Sequence, residues 1–327
     1  MKIASEVTRT GIRLSLDVTD LVRPHLRQQK VYCATGEGGG KDPSCSPGGG
    51  TSGGLAETKR GKDGKLTFAN GEALPAHLPR IPPAWTDVTV STDPNASLIV
   101  KGKDSKGRVQ SVYSKTHATE QAAKKFAKVS ELLEKQDGLR KEIEKDMKSN
   151  DPEARENASV LALIQQTGLR PGSERDTGAE KKAYGATTLE GRHVVELKRG
   201  VRLRFVGKKG VDLDILVDDP VLAKMLVERK QSAGNKGKLF DVTDASLREY
   251  TRTKDGGEFK PKDFRTAVGT RLASKIVSGM KAPKNQAQYK KSVREVGKQV
   301  AARLGNTHTI ALQSYIDPSI FSKWRVA

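Results

Sequence analysis

The apolar residues of this chain change period near Ala118, and one kind of secondary structure cannot satisfy both halves of that change. Before it, Leu66-Thr67-Phe68, Val88-Thr89-Val90, Leu98-Ile99-Val100 and Val109 to Tyr113 alternate as half-buried strands do. Asn70-Gly71, Asp93-Pro94-Asn95 and Lys106-Gly107 supply the turns between them. After it, residues 118–148 read as one or two charged helices with a break at Asp137-Gly138, and Asn150-Asp151-Pro152 is a stop and restart signal. The pattern predicts an α+β chain in which a small β-rich unit precedes a mainly helical one.

Within the second unit, Val160, Leu161, Leu163 and Ile164 line a buried helix that should end at Gly168. Three strand-like runs follow, His193–Leu197, Arg202–Val206 and Val211–Val217, the last two joined by the hairpin loop Gly207-Lys208-Lys209-Gly210. The remainder is expected to be helical over about 219–230, 243–251, 261–279 and 285–304, with a last short element near 317–324. Toward the other end, residues 34–54 are Gly/Ser-rich, hold almost no apolar residues and read as a flexible linker. No GK[ST] follows those glycines, so a phosphate loop is not expected there. Before the linker, Val18, Leu21, Val22 and Leu26 suggest a helical face that Pro24 interrupts. Three segments result: 1–55, an N-terminal extension with its Gly-rich linker; 56–150, a β-rich domain with charged helices; and 151–327, a mainly helical domain that carries the candidate residues named below.

Composition enters through charge. Fifty-nine Lys and Arg against 39 Asp and Glu give a formal +20, which selects polyanionic partners, nucleic acid first among them. No run of 18 apolar residues exists and Asp17 and Asp20 interrupt the N-terminal apolar positions, so neither a membrane span nor a signal core is expected. The expected setting is cytoplasmic. Cys33 and Cys45 lie in or beside the Gly-rich stretch without a nearby His or acidic cluster, which falls short of a zinc site.

Five residues stand in contexts that fit one chemistry. Tyr315 carries a phenol, with an ordinary pKa of roughly 10, that can form a covalent phosphoester if its anion is stabilised. Arg170, just past the helix ending in Thr167-Gly168-Leu169, and Arg265, early in a helix, can fork onto phosphate oxygens. Asn306 can donate to a nonbridging oxygen. Lys208, at a hairpin tip, is suited to protonate a departing 5′-oxygen, with Lys209 as a competing candidate. Taken singly, Arg170 and Arg265 are more simply surface charges, Asn306 a cap and Tyr315 a half-buried tyrosine; Lys208 is the more telling position, its plain alternative being a basic loop that touches phosphate nonspecifically.

Together these residues resemble the type IB DNA topoisomerases of the compact poxvirus-like and bacterial kind, over about residues 64–320. Ile81-Pro82-Pro83-Ala84-Trp85-Thr86-Asp87-Val88 is similar to the family's IPPAWTDV segment, and Gly102-Lys103-Asp104 through Gly107-Arg108-Val109-Gln110 to its GRDxxGRKQ hairpin. Thr167 to Glu174 resembles the first arginine box, Phe205-Val206-Gly207-Lys208 the FxGK hairpin, and Lys262-Asp263-Phe264-Arg265-Thr266 the KDFRT box. Leu304-Gly305-Asn306-Thr307 and Ser314-Tyr315-Ile316 resemble the LGNT…SYI end. The chain departs from the family at Ser111, where a tyrosine is usual, at Ala267 (tryptophan), at His308 (proline) and at Leu312 (arginine). Poxvirus members carry histidine at the position of Asn306, and bacterial members asparagine.

The resemblance implies a C-shaped clamp that acts on double-stranded DNA as a monomer, in a bacterial, phage or viral setting and associated with the nucleoid. It implies Tyr315 as nucleophile forming a 3′-phosphotyrosyl bond, with Arg170, Lys208, Arg265 and Asn306 as the other catalytic groups. Arg108, Gln110, Tyr113 and Lys262 are implied to contact DNA. Neither ATP nor metal is implied, so no cofactor is expected. A tyrosine recombinase shares this chemistry but usually has histidine where Lys262 stands; a basic DNA-binding protein with an inert catalytic set is the remaining alternative.

Overall fold

The computed structural model describes residues 54–174, 181–254 and 259–324. The Gly-rich stretch up to residue 53, the Val18–Leu26 face, Cys33 and Cys45 lie outside the described residues. The chain divides into two compact units, Met1–Lys124 and Lys125–Ala327. The architecture is a β-rich N-terminal part followed by a mainly helical C-terminal part, and both sheets are antiparallel.

The first unit is a five-stranded sheet of β1 (Leu55–Arg60), β2 (Leu66–Phe68), β3 (Thr86–Ser91), β4 (Leu98–Lys103) and β5 (Val109–Tyr113), in the order β2-β1-β3-β4-β5. Alternation puts Val88, Val90, Val100 and Val112 on one buried face, where Trp85 joins them and Leu66, Phe68 and Ile81 pack at the margin. Strand β1, sequence LAETKR, is an addition to the expected set. It is too polar to alternate visibly, and it is ordered by pairing with β3 at Leu55↔Ser91 and Glu57↔Thr89.

A long helix, α1 (Lys115–Glu134), leads into the second unit. It is followed by α2 (Gln136–Asp146), so the interruption falls at Lys135, and Asp137-Gly138 lies inside the first turn of α2. Helix α3 (Pro152–Thr167) is the centre of this unit, with Val160, Leu161, Leu163 and Ile164 wholly buried. Its start follows from local chemistry: Asp151 accepts a hydrogen bond from the Glu153 amide at 3.0 Å, and Pro152 occupies the first helical position. A three-stranded sheet, β6 (Val194–Glu196), β7 (Val201–Val206) and β8 (Asp212–Val217), packs beside α3, with β7 in the middle. Then come α4 (Pro220–Ala233), α5 (Asp244–Arg252), α6 (Pro261–Gly279), α7 (Gln286–Leu304), a seven-residue α8 (His308–Ser314) and a 3-10 turn at Pro318–Trp324. Helix α6 is buried nearly all round along its first half, which makes it the second core helix.

The helix α8 is absent from the expected elements. Thr307 caps it, accepting from the Ile310 amide at 3.3 Å. The side chain of Leu312 packs on Gly297 of α7, so closely that a Cβ at Gly297 would lie 2.8 Å from Leu312 Cγ. The family's usual arginine at that position is replaced here by an apolar contact between α8 and α7.

Candidate active site

Two helices end side by side, and the site is built on their ends. Helix α3 closes on Gly168 (φ 73°) and α7 on Gly305 (φ 61°), both left-handed caps. Just past each cap the chain presents a polar side chain: Asn306, two residues after Leu304, and Arg170, three residues after Thr167. The Arg170 Nη2 donates to Asn306 Oδ1 at 2.7 Å, across 136 residues of sequence.

Arg265 ties the same two ends together from α6. Pro261 opens that helix and Asp263 Oδ2 accepts from the Lys260 amide at 3.0 Å, which sets the first turn and places Arg265 in the second. Its side chain is 3% exposed. One guanidinium nitrogen donates to the Gly168 carbonyl and the other, Nη2, to the Leu304 carbonyl at 2.5 Å. These are C-terminal helix carbonyls with no intrahelical partner, where a cation is favoured. Burial, then the neighbouring Arg170 charge, lower the Arg265 pKa to about 10, so the group remains charged at neutral pH.

Tyr315 caps the C-terminus of α8, its amide donating to Ala311 at 2.9 Å. Its ring lies under the Arg265 guanidinium at 4.8 Å. Burial alone would push the phenol pKa up. The charges of Arg265, Arg170 and Lys208 outweigh it, and the phenol is held below its ordinary value. Gly269 makes this approach possible: a Cβ there would stand 2.6 Å from the Tyr315 carbonyl oxygen and 3.0 Å from Tyr315 Cβ.

Lys208 is exposed in the turn between β7 and β8, beyond Phe205, which is buried and faces His193 ring to ring at 5.9 Å. Neighbouring Lys209 adopts a left-handed conformation (φ 66°), so the two lysines differ in backbone setting. The structure thus brings Arg170, Arg265, Asn306 and Tyr315 into one cluster, with Lys208 close enough for its charge to act on the phenol. Two donors in this cluster, Arg265 Nε and Asn306 Nδ2, are buried and have no hydrogen-bond partner among the described residues. Buried unpaired donors cost about 1–3 kcal/mol each. Chemically the cluster is a receptor for an oxyanion facing a phenol of lowered pKa.

Of the residues expected to touch DNA, Lys262 is exposed in the first turn of α6. The others lie on the β4–β5 hairpin of the first unit. Arg108 is exposed but engaged: its Nε donates to Asp104 Oδ2 at 2.9 Å, and Nη2 lies 2.6 Å from the same oxygen. The Arg108 hydrogen bond holds the Asp104 carboxyl down at about 2. Gln110 is buried and donates to that carboxylate at 3.0 Å. Tyr113, half-buried, stacks on His117 with ring centroids 4.9 Å apart. Asp104 therefore orients both Arg108 and Gln110, a role that the spacing of these residues did not single out.

Residues 113–321 match the family described as eukaryotic DNA topoisomerase I, catalytic core. With more than half of its length in that match, the chain belongs to the type IB DNA topoisomerases, a family of isomerases. Three of the relatives that it matches come from viruses. DNA topoisomerase 1B of Acanthamoeba polyphaga mimivirus is 30% identical over 257 residues, covering 72% of this chain and 75% of the relative. DNA topoisomerase 1B of vaccinia virus (strain Copenhagen) and DNA topoisomerase I of monkeypox virus are each 25% identical over 279 residues, covering 79% of this chain and 87% of the relative.

Proposed function

We propose that Tyr315 is the nucleophile of a DNA-relaxing reaction that proceeds through a 3′-phosphotyrosyl intermediate. The observation that carries this reading is the phenol itself: it lies 4.8 Å from a buried arginine and its pKa is lowered by three cations despite burial. Tyr315 attacks one phosphodiester, and the developing negative charge on the phosphorane is met by Arg170, Arg265 and Asn306. The unpartnered Arg265 Nε and Asn306 Nδ2 support those roles, because both are donors already withdrawn from water. Lys208 protonates the 5′-oxygen as it leaves. The broken strand rotates, and the 5′-hydroxyl then attacks the phosphotyrosine to reseal it. The covalent link conserves the bond energy, so the cycle needs neither ATP nor metal.

Arg108, Gln110, Tyr113 and Lys262 contact the duplex in this reading, and the β-rich domain, 56–150, closes with the catalytic domain, 151–327, as a C-shaped clamp around it. The protein acts as a monomer on double-stranded DNA. The formal charge of +20 supports a binding mode dominated by phosphates.

The deciding measurement is relaxation of negatively supercoiled plasmid in EDTA without nucleotide, together with trapping of the adduct by denaturant. Wild type should relax the plasmid and become covalently attached to DNA. Tyr315→Phe should bind DNA and form no adduct. Plasmid left supercoiled at large enzyme excess, or an adduct that survives the substitution, would sink the reading.

A further inference from the structure

We propose that Lys125 is a positioning residue for the nucleophile, fixing the peptide that precedes Tyr315 while Thr270 fixes the one that follows. The proposal rests on the reading of Tyr315 as nucleophile. Neither residue belongs to a motif that carries the family resemblance, and each holds a backbone carbonyl beside the nucleophile.

The geometry begins with the shortness of α8. Seven residues cannot hold a helix end rigid by their own hydrogen bonds. Tyr315 sits at that end, where the last carbonyls have no intrahelical partner. Lys125 Nζ donates to one of them, the Ser314 carbonyl, at 3.1 Å across 189 residues of sequence. The ammonium also lies 4.1 Å from the centre of the buried Phe126 ring, which limits where it can swing. On the far side of the tyrosine, Thr270 Oγ1 donates to the Tyr315 carbonyl at 3.2 Å and accepts from the Asp317 amide at 3.3 Å. Gly269, one residue earlier on α6, lets the Tyr315 backbone lie against the helix. The peptides on both sides of the nucleophile are thus held by side chains from two different helices, α1 and α6.

The charges facing Lys125 are Lys262 and Asp263 from α6 and Asp317 from the segment after α8. Burial, followed by Lys262, brings its pKa down to about 8, and the two aspartates oppose that shift. The sign follows: the tether is a charge-assisted bond below about pH 8 and loses its charge above it. An arginine at this position would keep its charge throughout. A misplaced nucleophile lowers the rate of attack without lowering affinity, because binding is set by the phosphate contacts.

The test measures single-turnover adduct formation with the full-length protein on plasmid DNA, alongside the DNA dissociation constant. Lys125→Met should form adduct about tenfold to a hundredfold more slowly. Its dissociation constant should stay within about twofold of wild type. Lys125→Arg should recover the rate to within about threefold at pH 7. The ratio of the Lys125→Arg rate to the wild-type rate should then climb from about pH 7 to about pH 9.5, a comparison in which every other titration cancels. A wild-type rate in Lys125→Met, no recovery with arginine, or a flat ratio with pH overturns the proposal. If Lys125→Met does not fold, Thr270→Val decides: it should slow adduct formation by about fivefold or more at unchanged affinity, and a wild-type rate overturns the paired tether. Tyr315→Phe runs in parallel. An adduct surviving in that variant removes the nucleophile reading and this proposal with it, whereas its absence beside a wild-type rate in Lys125→Met removes the positioning role alone.

Discussion

Arg265 is structural by its contacts, and the proposed mechanism gives the same side chain a chemical role. A buried guanidinium carries a large desolvation cost unless its donors are met. Here two donors meet carbonyls at helix C-termini, and the third, Nε, has no hydrogen-bond partner among the described residues. Arg265→Ala should therefore do two things: abolish adduct formation, and lower stability by about 2–4 kcal/mol through the carbonyls it strands. Urea denaturation reads the second effect, and an unchanged midpoint would show that the two helix ends hold without it. The phenol gives a prediction at the same scale. Its pKa is depressed, so phenolate accumulates at lower pH than for an ordinary tyrosine, and adduct formation should rise with pH along a limb that lies below about pH 10. Lys208→Met removes one of the charges responsible. In addition to slowing cleavage, it should move that limb to higher pH in a pH–rate profile.

At the scale of elements, the site is an arrangement of helix ends: α3 and α7 supply the loops bearing Arg170 and Asn306, α8 supplies Tyr315, and α6 crosses beneath all three. Gly168 is the joint most exposed to substitution. It is left-handed, and a Cβ there would lie 2.6 Å from Leu304 Cδ2 and 3.1 Å from Val268 Cγ1. Gly168→Ala adds backbone strain to a clash in the core, and should cost about 1–3 kcal/mol in thermal or denaturant unfolding. Gly269→Ala is different in kind. The atoms in its way are the backbone and Cβ of Tyr315, so the expected outcome is a slowed adduct with DNA affinity kept, measured in the single-turnover assay. On α8, Thr307→Ala removes a cap worth about 1 kcal/mol, a change that hydrogen exchange at Ile310 and Ala311 should detect.

For the whole molecule, charge is the governing quantity. An excess of 20 positive charges predicts an affinity that falls steeply with salt, by about 10³-fold or more between 50 and 200 mM if six or more phosphates are neutralised. A fluorescence anisotropy titration across that range checks it, and a flat response would contradict a phosphate-dominated interface. The hairpin arginine modulates this. Arg108 is already paired with Asp104, so Asp104→Asn should free its charge and steepen the salt dependence, with Gln110 losing its anchor in the same step.

Sequence alone determined the order of the architecture, because a period of two before Ala118 and a helical period after it cannot share one kind of element. It also determined the limits of α3, whose cap, proline and terminal glycine are all local chemistry. The catalytic candidates were legible as residues in boxes, each beside a helix end or a turn whose signals are short-range. Strand β1 and helix α8 were not legible. One is polar and exists through its pairing with β3, and the other is seven residues long and held by contacts with α6, α7 and Lys125. Only tertiary structure decided that Arg170 and Asn306 touch, that Arg265 is buried between two helix ends, and that three cations lower the Tyr315 phenol. The physical reason is distance along the chain. Capping, turns and periodicity act over a few residues, whereas the field at Tyr315 is summed over groups that lie 50 to 145 positions away and meet only when the core closes.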